Sequence, residues 1–416
     1  MIYSRRKFPT ESSGLLHYYS LYLFFVLFAA SIFSCVFPAG VISVASWISV
    51  LLAIIVFERR IFLKLPLFGT VGSILFVYLT LSVLWSTNDF LRSLILLTEF
   101  RIYLFVPILA IALYKLKIPI ISVIFIVYLV TAGALIASFG LAFSIIHIDN
   151  TNLSLGNRIF HAYVMSVFFI MNLSLFMEIK TPIFKIFFLL MGIATAYNII
   201  NVEIGRTGYL LIISLIVYFI LFFFGGFKKW LYVGMFAVLV IIAYFGLDSF
   251  HDRVLVSFRN LESAVSNGDS TTSIGFRLEM YKHSFLVGLE NFWMGVGVGD
   301  SEIVLQRLYD EKRIHALSDN VHSEHLNMWI VGGFVGWLGF ILYISSIFIV
   351  GFQLRVKSEA LSFFVIGFGL ILFLSSFFNS VVKDFGEKHI SIVVLATISC
   401  LYLRVMNGAD NGVSRS

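Results

Sequence analysis

The sequence predicts an all-α polytopic membrane protein of about twelve transmembrane helices, with one large loop outside the cytoplasm that contains short amphipathic helices. Composition is the first reason. Of 416 residues, 60% are apolar and 12% charged, with a mean hydropathy of +0.98; a soluble domain carries about 25% charge because its surface faces water. Spacing is the second: apolar stretches recur that are long enough to cross roughly 30 Å of hydrocarbon. The third is that 46 Phe and 18 Tyr suit lipid-facing and interfacial positions, while only six Pro leave most helices uninterrupted.

The stretches fall near 15–37, 41–57, 65–85, 92–114, 118–146, 159–178, 182–201, 207–225, 229–248, 326–352, 359–382 and 388–405. The first follows Arg5, Arg6 and Lys7 and superficially resembles a signal peptide. It is too long for a signal core and further spans follow at once, so an uncleaved helix is expected. Neither an internal repeat nor a low-complexity linker is visible. The expected organisation is one integral membrane domain: spans one to nine in 1–248, the loop in 249–325, and the last three spans with a tail in 326–416. Cys35 and Cys400 lie in or beside apolar stretches and supply neither a disulfide framework nor a zinc spacing.

Basic residues set the orientation. With the N-terminus inside, the inner short segments hold Arg5, Arg6, Lys7, Arg59, Arg60, Lys64, Lys115, Lys117, Lys180, Lys185, Lys228, Lys229, Arg355, Lys357 and Arg404. The outer ones hold only Arg92, Arg158, Arg206, Lys383 and Lys388. Both termini are therefore expected in the cytoplasm and the long loop outside it. The net charge of +6 is accounted for by this flanking bias and is no argument for a nucleic-acid partner.

Within the loop, Asn267 to Ser273 is a turn cluster ending in a helix N-cap expected at Ser273. Leu278, Tyr281, Phe285, Leu286 and Leu289 then recur at helical spacing, which predicts an amphipathic helix closed by Glu290 and Asn291. The run Gly295-Val296-Gly297-Val298-Gly299 is expected to be a turn; it lacks the preceding strand and following acid of a dinucleotide site.

Three segments have the residue types for chemistry. Glu203-Ile204-Gly205-Arg206-Thr207-Gly208 sits at the outer mouth of the eighth span. Its Arg is either an interfacial snorkeller or an anion ligand, since guanidinium forks two phosphate oxygens and flanking glycines let a ligand approach. Gly275 to Lys282 offers Arg277 and Tyr281 one helical turn apart, as a solvated face or a second cation for the same anion. Asn320-Val321-His322-Ser323-Glu324-His325-Leu326 marks re-entry into the membrane, and an imidazole there is either structural or a base working near neutral pH. No third ligand lies close in sequence and the HExxH order is absent, which weighs against a metal. Glu99 and Arg101, inside the fourth span, are two residues apart and so need separate partners; they are the feature that would suit a transporter or flippase.

In order along the chain, these segments resemble the O-antigen ligase and polymerase family of Gram-negative bacteria. Gly205-Arg206-Thr207-Gly208 resembles the family's Arg motif opening a late span. Arg277 to Tyr281, followed by Phe292 to Gly299, resembles its Arg-aromatic helix and Gly-rich turn. His322-Ser323-Glu324-His325-Leu326, with Gly333 and Gly336 downstream, is similar to its His-Asn-Glu segment entering a span. Ser323 stands where the family usually has Asn, and His325 adds a competing imidazole, so the choice between His322 and His325 stays open in the sequence.

The resemblance implies transfer of a glycan from an undecaprenyl-diphosphate carrier at the periplasmic face of the inner membrane, inverting, without metal or other cofactor. A ligase delivers the glycan to a lipid A-core sugar and a polymerase joins repeat units; the resemblance leans to ligase. It implies His322 as general base and Arg206 and Arg277 as diphosphate ligands, with His325, Glu324, Tyr281 and Lys282 as candidate supporting residues. Membrane lipids are the remaining expected partners.

Overall fold

The computed structural model describes residues 39–143, 157–202 and 205–406. The first expected span, Cys35 and the C-terminal tail lie outside the described residues. Helix makes up 81% of the structure and no strand occurs among those residues. In chain order the helices are α1 (Ala39–Ile55), α2 (Leu67–Ser82), α3 (Phe90–Leu97), α4 (Ile102–Lys115), α5 (Ile120–Ala142), α6 (Arg158–Glu178), α7 (Pro182–Tyr197), α8 (Arg206–Phe223) and α9 (Lys228–Gly246). Three loop helices follow, α10 (Asp248–Asn267), α11 (Ser273–Glu290) and α12 (Ser301–Asp310), and then α13 (Glu324–Leu354), α14 (Glu359–Ser376) and α15 (Phe385–Met406).

Among the described residues, eight helices are long and apolar enough to cross a membrane: α5, α6, α7 with its continuation to Val202, α8, α9, α13, α14 and α15. The bent pair α3 and α4 makes a ninth; α1 and α2 are apolar but shorter. The chain is a membrane protein.

The fourth expected span is not one helix. It breaks at Thr98–Arg101 and bends by 56°. The cause lies in the charge pair. Glu99 Oε2 takes an ion pair from Lys383 Nζ at 3.2 Å, while the Arg101 guanidinium meets His389 Nε2 at 3.2 Å. Each charge has found its own partner, and the backbone bends between them. The eleventh span also ends early, at Ser376 instead of 382, because the chain then unwinds to supply polar groups to the outer end of the bundle.

The core lies where α13 packs on α2 and α14, and where α15 packs on α4. α15 is buried along most of its length, and Ser391, Thr397 and Ser399 return their hydroxyls to the carbonyls of Glu387, Val393 and Leu395. Small, internally bonded side chains let helices approach closely without leaving polar groups in hydrocarbon. At the other extreme, α9 has no buried residue and packs on α8 and α10.

The glycine-rich segments form one joint. α13 is interrupted at Gly333 (φ +60°, ψ −153°), which frees the carbonyls of Ile330 and Val331. Val296 and Gly297 donate their backbone N–H to those carbonyls at 2.9 and 3.0 Å. Phe334 N–H in return donates to the carbonyl of Phe292. A Cβ on Gly295 (φ +67°) would lie 2.4 Å from the Ile330 carbonyl oxygen, so only glycine fits. Residues 295–299 are the expected turn, and they serve to close a broken membrane helix.

The loop helix α11 starts one residue earlier than expected: Thr272, and not Ser273, is the N-cap, its hydroxyl accepting from Gly275 N–H at 3.1 Å. Met280, Ser284, Val287 and Gly288 pack inward, whereas Leu278, Phe285, Leu286 and Leu289 are exposed. The inward face joins Val304, Leu305, Leu308, Ile314 and Val321 in a small core belonging to the loop.

Candidate functional site

The site is built around the entry to α13. His322 has φ +54°, a left-handed conformation that a side chain with a β-carbon rarely adopts. Its surroundings hold it there. The His322 N–H donates to Asn320 Oδ1 at 2.7 Å, and its carbonyl accepts from the Tyr281 hydroxyl at 2.9 Å. Asn320 is itself fixed, donating to Asp384 Oδ1 at 3.1 Å and accepting from Ser380 Oγ at 3.2 Å. Tyr281 therefore has a definite part: it ties α11 to the turn that presents the imidazole.

The imidazole of His322 is half-buried beside Phe276, with ring centroids 6.4 Å apart. Burial pushes its pKa below the usual imidazole value, and the Arg277 guanidinium adds to the effect; Asp319 acts in the opposite sense. It is thus held in its neutral form near pH 7.

Arg277 is within electrostatic reach of both His322 and Arg206. Arg206 opens α8, where the free amides of an 18-residue helix add positive potential. A Cβ on Gly208 would strike Ile199 at 2.9 Å, so the glycine lets the start of α8 lie against the π turn Asn198–Val202. With its amide oxygen facing Arg206, Asn260 accepts from that guanidinium at 3.2 Å. Arg253 on α10 is a third member, within electrostatic reach of Arg206 and Tyr209. Among the described residues none of Arg206, Arg253 and Arg277 forms an ion pair with a carboxylate. Arg206 is repelled by both Arg253 and Arg277, and a polyanion beside it would relieve that repulsion.

Arg206, Arg277 and His322, singled out from the sequence, thus share one neighbourhood. The other candidates are elsewhere. His325 faces the core, with Nε2 2.9 Å from Ser376 Oγ and its ring 4.3 Å from that of Phe377. Glu324 is fully buried and accepts from Val382 N–H at 3.0 Å. Lys282 is exposed, on a part of α11 where its charge acts on His283.

Residues 191–341 match the O-antigen ligase family. That family is a glycosyltransferase-like ligase and polymerase group, with glycan and lipid substrates in general. No curated protein matches the chain. The matched stretch contains Arg206, Arg253, Arg277, His322 and both sides of the Gly295–Gly333 joint. Sequence reasoning missed Arg253, which lies in no motif and reaches Arg206 only because α10 folds back over the start of α8.

Sequence reasoning also missed a polar network beneath His322. Asp384 is pushed up to about 6, by burial first and then by Asp319. Asn379 donates to Glu387 Oε1 at 2.6 Å, and Lys388 Nζ donates to the carbonyls of Glu99 and Lys383 at 3.1 and 2.9 Å. Charged residues so close to the mouth of an apolar span were a signal in themselves. This network supports the site from below: Asn320 is its upper member and holds the turn of His322.

Proposed function

We propose that the protein is an O-antigen ligase that transfers a glycan from undecaprenyl diphosphate to a lipid A-core sugar at the periplasmic face of the inner membrane, with inversion. The observation that carries this is the set of three guanidinium groups, without carboxylate partners among the described residues, near the half-buried imidazole of His322. The acceptor hydroxyl attacks the anomeric carbon, the bond from that carbon to the diphosphate oxygen breaks, and the electron pair leaves with the diphosphate. Arg206, Arg253 and Arg277 stabilise the charge that develops there. His322 takes the hydroxyl proton, a role worth about 10²–10⁴-fold in rate.

The direction of attack requires the loop outside the cytoplasm, where no nucleotide sugar is at hand and a lipid diphosphate is the sensible activated donor. Glu99 and Arg101, the pair that suited a transporter, are partnered by Lys383 and His389, which leaves transport without its distinguishing feature.

The test is the lipopolysaccharide ladder of a deletion strain complemented with Arg206→Ala, Arg277→Ala, Arg253→Ala or His322→Ala. Each variant is expected to accumulate in the membrane and to leave the lipid A-core uncapped. Full capping by the His322 and Arg206 variants would remove the assigned roles, and single repeat units in place of none would make the enzyme a polymerase.

A further inference from the structure

We infer that the protein holds one phospholipid with a zwitterionic, primary-amine head at the end of the bundle remote from the arginine cluster. This site is independent of the function proposed above. Two cavities meet there. The first, about 290 Å³, lies between α5, α6, α14 and α15 and is walled by Val127, Met171, Leu175, Phe364, Val394 and Ile398 among others. The second, about 310 Å³, has Phe176, Glu178, Lys185, Phe223 and Glu359 in its wall. Glu178 and Ala360 border both, so an apolar slot opens directly into a charged recess. The junction is fastened: Ser174 Oγ donates to the Ala360 carbonyl at 2.8 Å, tying α6 to α14. Ser358 caps α14 by accepting from Leu361 N–H at 3.2 Å, which sets Glu359 at the first position of that helix.

Charge selects the occupant. Among the described residues none of Glu178, Lys185 and Glu359 forms an ion pair, and Lys185 Nζ rests 5.6 Å from the centre of the Phe176 ring. Two carboxylates against one ammonium leave the recess with an excess of negative charge. A purely anionic head is therefore repelled, and a prenyl diphosphate most of all. A head with one phosphate and one primary ammonium satisfies all three side chains: phosphate beside Lys185, ammonium beside Glu178 and Glu359, each through charge-assisted hydrogen bonds. A quaternary ammonium carries the same charge but has no N–H to donate. Lys180, Arg355 and Lys357 are exposed at the same end and line neither cavity; they belong to the basic fringe expected of a cytoplasmic face. The groove along α9 from Phe227 to Leu239 has no charged wall and offers nothing to distinguish one head group from another.

The experiment uses the full chain in phosphatidylcholine nanodiscs containing a trace of phosphatidylethanolamine with a photoreactive diazirine midway along one acyl chain. After irradiation, label is expected on peptides covering 171–178 and 394–405, at least fivefold above that from phosphatidylcholine or phosphatidylglycerol with the same diazirine. Glu178→Gln combined with Glu359→Gln should bring phosphatidylethanolamine down to the phosphatidylcholine level; both carboxylates are exposed, so folding should be kept. Lys180→Gln, which changes a nearby charge outside both cavities, should label as the parent does. Val127→Phe fills the apolar slot and should lower the yield on 394–405 at least fivefold while leaving the head recess intact. The inference is overturned if the preference survives the double glutamine variant, if label centres on other peptides, or if phosphatidylglycerol labels these peptides as strongly. Labelling needs no turnover, so its outcome is separate from the lipopolysaccharide ladder.

Discussion

A left-handed histidine costs about 1–3 kcal/mol of backbone strain, and here it is held by Asn320 from one side and Tyr281 from the other. What that strain achieves is direction: the turn aims His322 toward Arg277, while His325, three residues on, points into the core against Ser376 and Phe377. The two histidines should therefore fail differently. His325→Ala is expected to lower the melting temperature in detergent by a loss of about 1–3 kcal/mol, typical of a buried hydrogen-bonded group, with turnover per folded molecule kept. His322→Ala should show the reverse, and equal loss of turnover in both would refute the division. The pH profile gives an independent check. His322 acts as base only when neutral, and burial with Arg277 lowers its pKa; the acidic limb of kcat/KM should then have its midpoint below 6.5, the value of a free imidazole. Removing the cation in Arg277→Gln takes away one depressing influence, so the midpoint should move upward even as the rate falls. A downward or absent shift would separate Arg277 from the imidazole.

At the level of elements, the sequence shows two glycine motifs about forty residues apart, and the structure shows a single joint. Gly333 breaks α13, and 295–299 fill the hydrogen-bonding gap that the break creates. In hydrocarbon such a gap is costly, because no water is present to satisfy the freed carbonyls. Gly295→Ala is expected to destabilise the protein by about 3 kcal/mol or more through clash and backbone strain, read as thermal unfolding in detergent. Gly234→Ala on α9, where an added methyl meets nothing within 4 Å, should instead be neutral or stabilising by up to about 1 kcal/mol. Similar losses in both would mean that helix propensity, and not the joint, sets the cost. α11 shows a related point: Leu278, Phe285 and Leu289 recur at helical spacing yet are exposed, because periodicity marks what is apolar, not what is covered. Near a membrane both faces of a helix can be apolar, one meeting protein and the other lipid.

Taken whole, the molecule places its expected outer and inner charges at opposite ends. Arg206, Arg277, Lys383 and His322 gather at one end. At the other, Lys115 pairs with Glu58 at 3.1 Å and Arg404 donates to the Ile118 carbonyl at 2.7 Å. That separation, with the bias of basic residues, predicts a loop in the periplasm. In a background with both native cysteines replaced by serine, Gln306→Cys in the exposed part of α12 should react with an impermeant maleimide added to spheroplasts, and Lys357→Cys only after lysis. The opposite pattern would invert the protein and remove the donor argument with it.

The sequence by itself determined that this is a helical membrane protein, where most of its helices lie, and that the segments of Arg206, Arg277 and His322 hold the residue types proposed for chemistry, because hydrophobic length and residue type are local properties. Only the tertiary structure decided which histidine faces the cations, that Arg253 joins them, that the fourth span is bent between Glu99 and Arg101, and that a polar network around Asp384 supports the turn from below. Each of those depends on which distant helix comes to lie alongside, and a one-dimensional pattern does not carry the distances between its own separated parts.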